Sequence, residues 1–84
     1  MLKDSTLKIL EDNNGLIKQA FDIDDNGISK IRNLLSKDRK NFKNVVDDIF
    51  LSDIGDREKT VAYYLIGYAN GVRERNARKS KKFA

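Results

Sequence analysis

Apolar residues recur along this chain at intervals of three and four almost without a break, the spacing that lines one face of an α-helix. Leu7 and Leu10, with Ile9 beside them, mark a first helix over Ser5–Asp12. Asp4 or Ser5 is placed to cap its start, and Asn13-Asn14-Gly15 offers residues that tolerate left-handed backbone to end it. A short second helix follows from Leu16 to Phe21. Asp22-Ile23-Asp24-Asp25-Asn26-Gly27 then reads as a turn, because Asp and Asn bond their own backbone and accept unusual φ values. A third helix begins near Asn26 and holds Ile28, Ile31, Leu34 and Leu35 on one face. Ser36 or Asp38 is expected to cap the fourth, where Phe42, Val45, Val46, Ile49 and Phe50 make the clearest apolar stripe of the chain. After a loop over Ser52-Asp53-Ile54-Gly55-Asp56, with Asp56 as N-cap, the fifth and longest helix runs from Arg57 to a point between Asn76 and Ser80. No proline interrupts any of them. The expected fold is all-α: a compact bundle of four or five helices with a helix-turn-helix-like corner and a long C-terminal helix.

Length changes this picture only by limiting it. Eighty-four residues make one domain, expected over 1–78, with 79–84 as a basic C-terminal tail. Charge is spread unevenly. Arg73–Ala84 holds six basic residues and one acidic one, whereas the first 72 residues hold eleven basic and twelve acidic. A near-neutral body therefore carries a basic end. Cysteine and histidine are both absent, which removes disulfides, thiolate metal sites, the commonest general base and the usual zinc ligand. The chain is accordingly expected to be non-enzymatic, without cofactor, metal or small-molecule substrate. The longest apolar stretch, Val61–Val72, is broken by Gly67 and Asn70 and falls short of the roughly 20 residues that span a bilayer. Met1-Leu2-Lys3-Asp4 leads directly into polar sequence rather than an apolar leader. A cytoplasmic protein without membrane association is the expectation.

Two motifs overlap at the Asp22 turn. Asp22-x-Asp24-x-Asn26-Gly27 matches the opening of a calcium-binding EF-hand loop, but the ninth position is Lys30, and the twelfth, where a bidentate glutamate is required, is Asn33. No calcium is expected there. The second motif is a helix-turn-helix, whose two short helices pack around a tight turn and so bury positions four, eight, ten, fifteen and eighteen of a twenty-residue window. With the window opened at Asn14, these are Ile17, Phe21, Ile23, Ile28 and Ile31, all apolar, and the turn position is Asp22.

Gly15-Leu16 followed by Ile28-Ser29-Lys30-Ile31-Arg32-Asn33 resembles the GL…ISKIEN pattern of small Cro/Xre-type helix-turn-helix regulators of phage and mobile elements. Asp56-Arg57-Glu58-Lys59…Gly67-Tyr68…Gly71 resembles the DREK…GY..G helix that follows the DNA-binding domain in some of them. The resemblance touches about half the chain. It departs at Lys18, where the pattern has a small residue, and in a first helix about one turn shorter. Carried over, the resemblance places base-reading positions on Asp24, Asp25, Asn26, Ser29, Lys30 and Asn33. Ser29, Lys30 and Asn33 suit base edges and phosphates, while paired aspartates facing a polyanion cost affinity.

Two partner classes therefore stay open. In the first, the protein binds DNA through Ser29, Lys30 and Asn33, with Arg75, Arg78, Lys79 and Lys82 holding phosphates; these four recur at i, i+3, i+4 and i+7. In the second, it is an inhibitor or antirepressor that presents the acidic corner of Asp22, Asp24, Asp25 and Asn26 to a basic regulatory or nucleic-acid-binding protein. Gly67 and Gly71 form a GxxxG spacing inside the longest helix. Mid-helix glycine costs about 1 kcal/mol relative to alanine, so a close approach is expected there. It is either another helix of the same chain crossing the groove, the preferred expectation, or a homodimer seam edged by Tyr64 and Tyr68. Asp47 and Asp48 are expected on a solvated face.

Overall fold

The longest apolar run of the chain becomes its spine. The computed structural model describes residues 2–83, with side chains for all of these except Leu2, Arg73, Glu74 and 76–83. Within that span the chain forms α1 (Leu2–Asp12), α2 (Asn14–Phe21), α3 (Asp25–Leu35), α4 (Phe42–Leu51) and α5 (Asp56–Phe83). The 28 residues of α5 extend about 42 Å at 1.5 Å per residue, and this one helix sets the 44 Å long axis of the molecule. Its first half packs against each of the other four helices. Val61, Ala62, Leu65, Ile66 and Ala69 on α5 are all buried, the i, i+1, i+4, i+5, i+8 stripe of a helix with one wet side. Leu10, Ile17, Ile28, Ile31, Leu35, Val45 and Ile49 close over it from the other elements. Each such side chain contributes about 1.5–3 kcal/mol by leaving water. Among the described residues there are helices and no strands.

Several local expectations are corrected. Helix α1 begins at Leu2 rather than Ser5, so Asp4 lies in its first turn, where a carboxylate complements the helix dipole. No left-handed residue ends it: Gly15 has ordinary φ, and α2 already begins at Asn14. Asn13 alone separates the two helices, donating through both its backbone N–H and its Nδ2 to the Ile9 carbonyl at 3.1 and 2.9 Å. Helix α4 is capped by neither Ser36 nor Asp38. Ser36 instead ends α3, and Asn41 starts α4, its Oδ1 accepting from the Asn44 N–H at 2.9 Å. The segment between has no apolar side chain to bury, so it stays irregular.

The stripe on α4 is also only partly internal. Val45 and Ile49 are buried, but Phe50 is 69% exposed and Phe42 lies half out. Helix α4 packs chiefly on α3 and α5, which leaves Phe50 at its far edge exposed. Asp56 is the first helical residue of α5 rather than its cap. That helix runs past the expected end between Asn76 and Ser80, to Phe83. Gly67 and Gly71 face open space: a Cβ at either would meet nothing within 4 Å. The expected internal crossing at these glycines is therefore absent. No helix among the described residues is long and apolar enough to cross a membrane.

Candidate nucleic-acid interface

The corner formed by α2, its turn and α3 is built by three aspartates doing three different jobs. Asp22 ends α2 in the left-handed region, with φ 54° and ψ 52°, and it is the one non-glycine among the described residues with positive φ. Aspartate tolerates this conformation better than most residues. Here it lets the N–H groups of both Asp22 and Ile23 turn back to the Lys18 carbonyl. Asp24 is extended and serves as the N-cap of α3, its Oδ1 accepting from the Gly27 N–H at 2.9 Å. Asp25 opens the first turn of α3, where negative charge complements the helix dipole.

The five window positions all pack against the core, though to different depths. Ile17, Ile28 and Ile31 are fully buried, and Phe21 and Ile23 are half-buried against the same core. Gly27 is buried because α3 comes down close to α5: a Cβ there would lie 3.2 Å from Glu58 Oε1. With Ile28, Ile31 and Leu35 turned inward, Ser29, Lys30 and Asn33 share the opposite, exposed face of α3 with Asn26. Lys30 makes no ion pair among the described residues.

The acidic corner is compensated from within. Lys18 Nζ reaches Asp25 Oδ1 at 2.8 Å, and this hydrogen bond, with the charge behind it, holds the Asp25 carboxyl below the usual carboxylate range. Arg57 Nη1 donates to Asp22 Oδ2 at 2.6 Å and to the Asp22 carbonyl at 3.3 Å. The third carboxylate, on Asp24, is engaged by the cap. The Lys18 side chain thus projects from α2 across the turn to α3. The calcium-like loop has its Asp22 and Asp24 carboxylates committed in the same way. No three metal-ligating side chains converge among the described residues.

The remaining expected residues divide. Arg75 is exposed on α5, while the side chains of Arg78, Lys79 and Lys82 lie outside the described residues. Gly67, Gly71, Tyr64 and Tyr68 share one exposed strip of α5, with Phe21, Tyr64 and Tyr68 stepping along it at ring separations of 5.8 and 6.1 Å. Asp47 pairs with Lys43 at 2.7 Å on the polar side of α4. Asp48 does more than face solvent, because it binds the Arg39 guanidinium at 2.7 Å. The pairing roles of Lys18, Arg39 and Arg57 carry no signal in the sequence. Their partners stand 7, 9 and 35 residues away, each beyond the end of the helix or connection that carries the cation, so no single helix face links them. Comparison of the chain with known protein families, curated proteins and solved structures finds no match.

Proposed function

We propose that this chain is a small non-enzymatic regulatory protein that binds DNA, with α3 entering the major groove and the basic end of α5 against the backbone. Ser29, Lys30 and Asn33 contact base edges or brace the groove, and Arg75, Arg78, Lys79 and Lys82 neutralise phosphates. The observation that supports this reading best is the internal pairing of the acidic corner. Two aspartates at the tip of a recognition helix would repel DNA, but one caps the helix and the other is paired with Lys18, while Lys30 on the exposed face has no ion pair among the described residues. A homodimer, using the exposed strip of Gly67, Gly71, Tyr64 and Tyr68, would present two such helices to a two-fold site.

The rival reading rests on exposure. The side chains of Asp22 and Asp25 remain 89% and 87% accessible, so Asp22, Asp24, Asp25 and Asn26 could instead meet a basic partner protein, as an inhibitor or antirepressor does. Titration against mixed-sequence duplex near physiological salt separates the two. DNA binding predicts association tighter than about 100 μM, with a log affinity that falls linearly with log salt. Replacing Arg75, Arg78, Lys79 and Lys82 with alanine should flatten that slope by about one unit per lost phosphate contact, whereas Lys30→Ala or Asn33→Ala should cost about 1–3 kcal/mol at preferred sites. Absence of any binding at that concentration would leave the inhibitor reading in its place.

A further inference from the structure

Helix α5 shows solvent a face that the rest of the chain leaves uncovered. Between Arg57 and Gly71 its exposed residues are Thr60, Tyr64, Gly67, Tyr68 and Gly71, and none is charged although 36% of the chain is. Tyr64 and Tyr68 stand 49% and 51% exposed, and Leu16 beside them 66%. Ile9, Leu16, Ala20 and Phe21 continue this surface as an apolar groove of about 250 Å³ against the two tyrosines. Aromatic rings on an uncharged line are the composition of the middle of an interface. Nothing within the chain accounts for glycine at positions 67 and 71, where a Cβ would meet nothing within 4 Å, while each costs about 1 kcal/mol of helix stability relative to alanine.

The order of large and small residues on this line selects the occupant. Reversed end for end about the Gly67–Tyr68 peptide, the line sets Tyr64 opposite Gly71 and Tyr68 opposite Gly67, with Thr60 opposite Arg75. No other antiparallel register meets both tyrosines with glycines. A parallel pair does so only with one copy shifted by three residues, which breaks the two-fold and leaves an open end. Charge favours the antiparallel arrangement as well. Helix α5 begins with Asp56 and Glu58 and carries Arg75 exposed toward its other end, so reversal brings opposite charges and opposite dipole ends together. At roughly 200 Å² for a large side chain, the exposed parts of Tyr64, Tyr68 and Leu16 in two copies come to about 650 Å². The helix surface between them brings the seam to the roughly 1,000 Å² at which specific interfaces begin. We propose that the occupant is a second copy of this chain, its α5 lying antiparallel across the strip, with each tyrosine seated on a glycine of the other copy. Resting on the DNA-binding reading, the pairing also completes that site. Asp56 shares a depression with Asp22 and Asp24, so Arg75 of the second copy is carried to the acidic corner beside α3.

The test is sedimentation equilibrium of the full chain without DNA, so that its failure is separate from failure of the DNA titration. A monomer–dimer equilibrium should appear between about 1 μM and 1 mM, the range of a small reversible interface. Gly71→Leu should keep its helix content and dimerise at least tenfold more weakly, because its side chain fills the seat of Tyr64. The chain has no cysteine, so Thr60→Cys and Arg75→Cys chains can be mixed and joined with a short bis-maleimide. Links between the two variants should predominate, because the antiparallel seam brings those positions together and holds like positions about 22 Å apart along the helix. A chain that stays monomeric to 1 mM overturns the proposal and leaves the strip to a different partner. So does a Gly71→Leu dimer of unchanged affinity, or linkage of Thr60→Cys chains to one another instead, which would mean a parallel seam.

Discussion

Asp24 concentrates two demands in one side chain, since it both caps α3 and stands at the corner proposed to approach DNA. The cap is the stronger of the two. Asp24→Ala should cost about 1 kcal/mol, with Asp24→Ser recovering most of it, because either oxygen can accept from the Gly27 amide; chemical denaturation of the three proteins measures this. Asp25 makes a different prediction. Its carboxyl is held below the usual range by Lys18, so the pairing contributes above the ordinary aspartate pKa of about 3.9 and is lost as pH falls through the lower folded value. In Lys18→Met the Asp25 carboxyl should titrate at its ordinary, higher value, read from its side-chain carbon resonance. An identical titration in both proteins would mean that the pair does not persist in solution. Lys18 thus sets a positive charge against the carboxylate in the first turn of α3.

Helix α5 carries its glycines where nothing touches them. With a Cβ free to enter open space at Gly67 and Gly71, alanine at either position removes the entropic cost of glycine in a helix. Gly67→Ala and Gly71→Ala should each raise stability by about 0.5–1 kcal/mol if the protein is monomeric. If the strip is a homodimer seam, the added methyl groups should hold two backbones apart, and light scattering should show a shift toward monomer with stability falling at low protein concentration. Helix α4 shows the opposite mismatch between pattern and environment. Its five-residue stripe is regular, yet Val45 and Ile49 are buried while Phe50 at its far edge stands in solvent.

The molecule as a whole depends on one helix. Leu65 is fully buried in the half of α5 against which the others close, so Leu65→Ala should cost about 2–5 kcal/mol by deleting buried methyl groups and leaving a cavity. In a small domain this is a large part of a total of about 5–15 kcal/mol, and a thermal melt should show the midpoint falling by many degrees. The same dependence links the basic end to the rest: α5 is unbroken from its core half to Phe83, so the proposed phosphate-binding residues continue the element that organises the fold.

Helical periodicity was enough to state the all-α architecture, the five segments and the inward face of Ile28, Ile31 and Leu35 on α3, because burial on a helix repeats with the backbone and needs no knowledge of neighbours. The left-handed turn at Asp22 was readable for the same reason, since it depends on one residue's own conformational tolerance. Other features depend on which elements meet. The cap of α4 moved to Asn41 because three polar residues competed for one helix start. Phe50 fell outside the core because no element covers that side, and the glycines face solvent because no helix crosses them. The pairing of Asp22 with Arg57 and the lodging of Arg39 against Asp48 join positions that only folding brings together. Local backbone chemistry is written residue by residue, whereas ion pairs, clefts and exposed faces arise from the mutual placement of helices and have no period along the chain.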